Sequence, residues 1–165
     1  MIQLKKKILS MLTILCILAS TALQTFAVSG KGTEANPFRI STAGELLLLE
    51  DFPECYFELE NDIEYTGAWV PVTNFSGSLD GKGHTITIAD YSSKTNMGFF
   101  GTLSGTVQNL TINANDISEE RSAETYIGLF AGKCTGTIKN CNATGKMIYK
   151  AYYTTSHYFG GFCGA

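Results

Sequence analysis

The 165-residue chain has little proline, histidine, tryptophan and charge, and these shortages exclude several classes of protein. It contains 3 Pro, 2 His and 1 Trp, and 16% of its residues are charged while 44% are hydrophobic. No His-Glu-x-x-His, Cys-x-x-Cys, phosphate-loop or Gly-x-Ser-x-Gly motif occurs. We therefore expect a non-enzyme with no catalytic residue, no metal site and no cofactor.

The sequence also lacks an excess of basic residues. Lys and Arg total 12 and Asp and Glu total 15, which gives a formal net charge of −3. Lys5, Lys6 and Lys7 lie in a segment that we expect to be removed, so the remainder is more acidic still. A nucleic-acid-binding domain normally carries a basic face, so we expect no nucleic acid as a partner.

Residues 1–27 follow the pattern of a secretory signal peptide. A basic start at Lys5–Lys7 precedes a mostly apolar stretch over residues 8–23, and small residues at Thr25 and Ala27 suit signal peptidase. The apolar stretch is shorter than the roughly 20 residues that a membrane-spanning helix needs. We predict cleavage after Ala27 and a secreted or cell-surface location, with a retained membrane anchor as the alternative.

An internal repeat of about 30 residues is the main signal in the sequence. Residues 104–110 (SGTVQNL) match residues 135–141 (TGTIKNC) at a spacing of 31, and residues 127–132 match residues 159–164 at a spacing of 32. Residues 75–88 resemble an earlier, divergent copy. Repeats of this length are typical of stacked, solenoid-like arrays.

Short apolar stretches interrupted by glycine indicate strands within each repeat. Apolar residues tend to alternate, as at Ile86 and Ile88, and they do not recur at helical spacing. Strands of successive repeats that stack about 4.8 Å apart form a parallel β-helix. We predict an all-β fold, a short right-handed parallel β-helix (solenoid) with an N-terminal capping helix. The recurring structural positions are Gly98, Phe100, Gly105, Asn109, Gly128, Phe130, Gly136, Asn140, Gly160 and Phe162.

The repeat register predicts ladders of like residues through successive coils. Phe100 would lie over Phe130 and Phe162 in the core, and Val107 over Ile138. Asn109 and Asn140 occupy matching bends, where stacked side-chain amides can hydrogen-bond between coils. A polar ligand contact is the functional alternative for these asparagines.

The repeats resemble a known family. Residues 98–101 (GFFG) with 107–110 (VQNL), and 127–132 (IGLFAG) with 138–141 (IKNC), are similar to the GLUG motif. That motif is found in bacterial surface proteins and in the non-catalytic N-terminal region of immunoglobulin A metalloproteases. The resemblance covers about residues 30–165 and implies a surface-associated β-helical region without an activity. The chain departs from the motif by an extra residue before Gly136 and by several cysteines.

Four cysteines would remain after export, and the sequence leaves their state open. They could form two disulfides in three possible pairings, because secreted proteins mature in an oxidising compartment. Small buried apolar side chains are the favoured interpretation, since Cys141 and Cys163 stand where other repeats have Leu and Ala. The four residues are Cys55, Cys134, Cys141 and Cys163.

We divide the chain into a signal peptide (1–27), an N-terminal cap with the first strand (28–64) and β-helix coils (65–165). Thr42 and Glu45 fit a capping box, which predicts a short helix whose leucines cover the first coil. A further strand is the alternative for this leucine-rich stretch. The chain stops partway into a repeat, so we expect either further coils of a longer chain or a partner against the last coil.

Two insertions separate the repeats and are predicted to be loops. Residues 113–125 are polar and partly acidic, and residues 146–158 are rich in tyrosine. Repeat proteins often bind through such insertions, and tyrosine supplies flat contacts for sugars and proteins. The candidate ligand-binding residues are Tyr149, Tyr152, Tyr153 and Tyr158, and the alternative is that some of them cover the core.

These features predict a secreted or surface-exposed bacterial module for adhesion or scaffolding, with a host or matrix protein or a glycan as its partner. One alternative is a carbohydrate-active β-helix lyase or hydrolase. Asp80, Asp90 and Asp116 could align loosely on one face for such chemistry, although turn formation better explains Asp80 beside Gly81. The other alternative is the N-terminal fragment of a larger surface protease.

Overall fold

The computed structural model describes residues 28–92, 96–115, 117–121, 125–151 and 156–165, and these are mostly β-strand. The predicted signal peptide, Asp116, Tyr152 and Tyr153 lie outside the described residues. The strands are β1 (Phe38–Ile40), β2 (Tyr56–Leu59), β3 (Ile63–Trp69), β4 (Ser78–Asp80), β5 (Thr85–Tyr91), β6 (Phe100–Leu103), β7 (Thr106–Gln108), β8 (Thr111–Ala114), β9 (Ile117–Arg121), β10 (Thr125–Ile127), β11 (Ala131–Cys134), β12 (Thr137–Lys139), β13 (Asn142–Thr144), β14 (Met147–Ala151) and β15 (His157–Phe159).

The strands assemble into parallel sheets, which confirms the predicted all-β class. The first sheet has the order β1-β2-β4-β7-β12, and the second has the order β3-β5-β8-β13. Three pairs complete the arrangement: β6 with β11, β9 with β14, and β10 with β15. Every pairing between these strands is parallel.

The first sheet aligns one apolar residue from each of its strands. These residues, which we name the apolar row, are register partners in turn: Phe38, Phe57, Leu79, Val107 and Ile138. Phe57, Leu79 and Val107 are buried, whereas both neighbours of each on its own strand are more exposed. Alternating burial of this kind fixes the register, because a slip by one residue would turn every apolar side chain outward.

The second sheet repeats this arrangement on another side of the core. Ile63, Ile86, Ile112 and Ala143 are register partners in turn. The first three are buried, and burial of each isoleucine side chain is worth about 1.5–3 kcal/mol. The two sheets therefore enclose a common apolar interior.

Aromatic rings fill the part of the core between the end of β3 and the pair of β6 with β11. The rings of Phe100 and Phe130 lie with centroids 5.8 Å apart, and Phe130 stacks on Phe162 at 4.6 Å. Trp69 stacks on Phe99 at 4.8 Å and donates a hydrogen bond from Nε1 to the Phe99 carbonyl oxygen at 2.9 Å. By backbone register Phe100 pairs with Ala131, because residues 128–132 contain one residue more than residues 98–101.

A short helical segment precedes β2. It consists of a 3-10 turn, Glu45–Leu47, followed by α1, Leu48–Asp51. Leu46 and Leu49 are buried, while Leu47 is 51% exposed, so the leucines follow a helical period and the alternative of a strand here was wrong.

Half of the predicted capping box forms. Glu45 Oε2 accepts hydrogen bonds from the backbone N–H of Ser41 at 2.8 Å and of Thr42 at 2.9 Å. The Thr42 hydroxyl makes no cap, because the residue at the N-cap position is Gly44, whose backbone is already helical. Glu45 thus accepts from backbone donors of the segment before the helix. The 3-10 turn begins at Glu45, which is later than the motif predicts.

The prediction that both insertions are loops was wrong. Residues 113–125 contribute β9 and residues 146–158 contribute β14, and these strands pair in parallel from Met147 with Ile117 to Ala151 with Arg121. Each insertion gives the other a partner for its backbone hydrogen-bonding groups. That partnership links two different repeats, so neither sequence stretch reveals it by itself.

Candidate functional site

The outward face of the first sheet carries a row of polar residues, which we name the polar ladder. Its members are register partners from β1 to β12: Arg39, Glu58, Asp80, Gln108 and Lys139. They alternate along their strands with the buried residues of the apolar row, so the period of the strand places them on the opposite face.

Ion pairs join neighbouring members of the polar ladder. Arg39 Nε lies 3.3 Å from Glu58 Oε1. Lys82 Nζ lies 3.2 Å from Glu58 Oε2 and 3.5 Å from Asp80 Oδ2, so one ammonium group serves two carboxylates. A groove of about 310 Å³ runs along these residues and is also lined by Tyr56. The groove is polar, and its charged lining residues are Glu34, Glu58, Asp80 and Lys82, so carboxylates outnumber the one ammonium group.

Asp80 is the most heavily hydrogen-bonded member of the polar ladder. Its Oδ1 accepts from the Asn109 side-chain amide at 3.0 Å and from the Lys82 backbone N–H at 2.9 Å, and its Oδ2 accepts from Gln108 Nε2 at 2.9 Å. Partial burial acts to raise the pKa of Asp80, but these hydrogen bonds and the Lys82 charge outweigh it, and the pKa is lowered. Asp80 therefore holds the bend after β4 in its ionised form.

The bends after β4, β7 and β12 share a left-handed backbone conformation. The angle φ is +52° at Lys82, +53° at Asn109 and +51° at Asn140. Asparagine adopts this region more readily than most residues. Asn140 Nδ2 donates to Asn109 Oδ1 at 3.3 Å, so the side chains at two matching bends are hydrogen-bonded to each other.

A second surface is formed by two stacked tyrosines, which we name the tyrosine pair. Tyr126 on β10 and Tyr158 on β15 are register partners, and their rings lie 4.7 Å apart and within 8° of parallel. Tyr158 is 42% exposed, and Lys133 Nζ lies 5.9 Å from the centre of the Tyr126 ring. The exposed ring of Tyr158 is suited to contact with sugars or with a protein surface, and Lys133 is close to the other ring of the pair.

The structure separates the tyrosines that the sequence singled out. Tyr158 belongs to the tyrosine pair, Tyr149 lies on β14, and Tyr152 and Tyr153 are outside the described residues. Tyr126 was missed by the sequence analysis. Extending the repeat match one residue towards the N-terminus would have found it, because Tyr126 precedes Ile127 as Tyr158 precedes Phe159.

Titratable residues elsewhere make local structural contacts. Asp62 Oδ1 accepts from the Thr85 backbone N–H at 2.8 Å and lies 3.2 Å from His84 Nδ1. Asp80 is on the first sheet and Asp90 is on the second, so these two carboxylates do not line one strand ladder. Among the described residues no group of three or more His, Cys, Asp or Glu side chains could hold a metal ion.

Comparisons with known proteins give one similarity. No family profile matches the chain, and no solved structure matches it. The sequence is 29% identical over 151 residues to Halomucin from Haloquadratum walsbyi, an alignment that covers 77% of this chain and 2% of Halomucin. The chain therefore spans a very small part of that relative's length. Within the part of the chain that the structure describes, no helix is both long and apolar enough to cross a membrane.

Proposed function

We propose that the chain is a non-catalytic module of a secreted or cell-surface protein, built as a short right-handed parallel β-helix and used in adhesion or scaffolding. The observation that carries this proposal is the in-register pairing of successive repeats. The segment β4–β5 is followed by β7–β8 and then by β12–β13, and each strand pairs with its equivalent in the next repeat. Such stacking is what a solenoid scaffold requires.

The helical segment supports the role of an N-terminal cap. Leu46 and Leu49 are fully buried against the same apolar core as Ile40 and Phe57. A solenoid needs a seal over its first coil, because otherwise apolar residues would face water. The similarity to Halomucin and the GLUG-like residues around Phe100 and Phe130 support a location at the cell surface.

The last repeat is best suited to be covered by further coils of a longer chain. Val107 and Ile112 are completely buried, whereas their register partners Ile138 and Ala143 are only partly buried. Phe159 is 52% exposed, although its partner Ile127 is buried. One more coil would cover these three side chains in the way that each repeat covers the one before it.

The tyrosine pair is the surface that we assign to a glycan partner. Tyr158 offers one ring face, since its other face is stacked on Tyr126, whose ring lies near Lys133. The site requires that any further coil leave this free face of Tyr158 uncovered. Aromatic rings pack against the apolar faces of sugars. Such contacts need little ordering of the protein, because the stacked tyrosine rings are already held in place.

Retention on immobilised glycans tests the proposal. The chain from Val28 to Ala165 is passed over a panel of neutral and acidic glycans, and Tyr158→Ala should reduce retention at least tenfold. Tyr56→Ala is the matched control, because Tyr56 is also an exposed tyrosine but lies on the first sheet. Equal retention of both variants would contradict the glycan site, and release of new reducing ends from the glycans would contradict the non-catalytic role.

A further inference from the structure

The residues at the end of the chain lie against β11. Cys163 is the register partner of Ala131. Gly164 donates its N–H to the Ala131 carbonyl oxygen at 3.1 Å, and Ala165 donates to that of Gly132, also at 3.1 Å. The Cys134 N–H in turn donates to the Ala165 carbonyl oxygen at 2.6 Å. This network holds the backbone of Cys163 beside the strand that ends at Cys134.

The two thiols of this region are neighbours. The side chains of Cys134 and Cys163 lie close enough to interact electrostatically. Both residues are partly buried and pack against the apolar core. Cys134 is the register partner of the buried Leu103, and Cys163 is that of the buried Ala131, so both side chains face inward.

The other two described cysteines are placed differently. Cys141 lies between β12 and β13, where its thiol donates to the Lys139 carbonyl oxygen at 3.2 Å. Cys55 immediately precedes β2. The fold therefore favours a single linked pair, Cys134 with Cys163, over a full set of two disulfides.

We propose that Cys134 and Cys163 form an intrachain disulfide that fastens the last repeat to the preceding one, with a low-molecular-weight disulfide such as oxidised glutathione as the oxidant. One cysteine thiolate attacks the glutathione disulfide, which forms a mixed disulfide and releases one glutathione thiolate. The second cysteine thiolate then attacks the protein sulfur of that mixed disulfide and releases the second glutathione. The two cysteines lose two protons and two electrons, and glutathione disulfide is reduced to two thiols.

The surroundings of Cys163 set the pH dependence of this reaction. Burial, together with the adjacent Cys134, raises the pKa of Cys163 to about 12. Because only the thiolate attacks a disulfide, Cys163 is a slow nucleophile at neutral pH. Cross-linking should therefore accelerate as the buffer is made more alkaline.

Peptide mapping tests the disulfide. The chain from Val28 to Ala165 is incubated in a mildly alkaline buffer of oxidised and reduced glutathione, alkylated with iodoacetamide in denaturant, and digested for mass spectrometry. We expect one linked peptide pair that contains Cys134 and Cys163 and lacks both thiol hydrogens, while Cys55 and Cys141 are fully alkylated. Alkylation of all four cysteines, or a predominant link through Cys55 or Cys141, would overturn the proposal.

Cysteine variants and oxidation in urea test whether the folded structure selects the pair of cysteines that becomes linked. Cys163→Ser should leave Cys134 alkylated, whereas the matched control Cys141→Ser should leave the link at its wild-type yield. Circular dichroism of each reduced variant checks that it is folded. Oxidation in concentrated urea should abolish the preference for the Cys134–Cys163 pair, and an unchanged preference there would also refute a role for the folded structure.

Discussion

Asn140 donates a hydrogen bond from its side-chain amide to Oδ1 of Asn109, one repeat earlier in the chain, at 3.3 Å. Asn109 in turn donates from its own amide to Asp80 at 3.0 Å. The bends of three successive repeats are therefore connected through side chains as well as through strand pairing. Both asparagines also adopt a left-handed backbone conformation, so the same residue type serves the bend and the contact between repeats.

Asn109 should tolerate glycine better than alanine. Asn109→Ala loses the amide contacts and places a less suitable residue at a φ of +53°, so we expect the free energy of unfolding to fall by about 2 kcal/mol. Asn109→Gly loses the same contacts but accepts the backbone angle, so its loss should be about 1 kcal/mol. Urea denaturation measures both, and an equal or greater loss for glycine would contradict the role of the backbone angle.

Gly105 should not accept a side chain. A Cβ atom there would lie 2.1 Å from the carbonyl oxygen of Gly77 in the preceding repeat, so Gly105→Ala should lower the free energy of unfolding by about 2 kcal/mol or more. Gly44→Ala is the matched control. Its φ is −66° and no atom lies within 4 Å of the new Cβ, so it should be neutral or stabilising by about 0.5 kcal/mol. Similar melting temperatures for the two variants would refute the close approach of the repeats.

Asp80 should make stability depend on acid pH. The lowered pKa of Asp80 in the folded state means that its contribution is present above the unfolded value, 3.8, and is lost as the pH falls through the lower folded value. Asp80→Asn has no charge to lose at this position. The free energies of unfolding of wild type and variant, measured by urea denaturation between neutral and acidic pH, should therefore converge as the pH falls. A constant difference across the range would show that the ionised carboxylate contributes nothing.

Tyr91 should make stability depend on alkaline pH, because its contribution is lost as the pH rises. Its hydroxyl donates to the Leu129 carbonyl oxygen at 3.1 Å, and burial raises the pKa of Tyr91 above its ordinary value of 10.0. Its contribution is complete below that value and is lost as the pH rises towards the folded pKa. Tyr91→Phe should lower the free energy of unfolding by about 1 kcal/mol at neutral pH and by less at alkaline pH, as measured by urea denaturation. Tyr56→Phe, at an exposed position, is the matched control and should leave the free energy of unfolding at neutral pH unchanged.

The repeat made part of this structure predictable from the sequence. The register of Val107 with Ile138 follows directly from two matching motifs of equal length. The pairing of β9 with β14 could not be predicted in this way, because the two strands have no residue in common at any paired position. Their partnership follows from stacking of the repeats, and only the three-dimensional arrangement shows it.

Side-chain contacts were harder to predict from the sequence than the strands were. The pattern identified Asn109 and Asn140 as equivalent positions, but it gave no sign that Lys82 would lie between two carboxylates. That contact depends on the left-handed bend at Lys82, which directs a long side chain back across the outer face of the first sheet. Tyr126 was not predicted, because the motif that matches between repeats starts one residue after it, at Ile127.

The apolar row of the first sheet is spaced unevenly along the chain. Phe57 pairs with Leu79 after 22 residues, Leu79 with Val107 after 28, and Val107 with Ile138 after 31. The additional residues of the second interval enter after β5, because Trp69 pairs with Tyr91 at a spacing of 22 whereas Val72 pairs with Phe100 at a spacing of 28. Those of the third interval enter after β8, in the segment that forms β9, while the first sheet keeps its alignment. One side of the molecule can therefore gain length through evolution, or accept an inserted epitope after Asn115, without disturbing the opposite side.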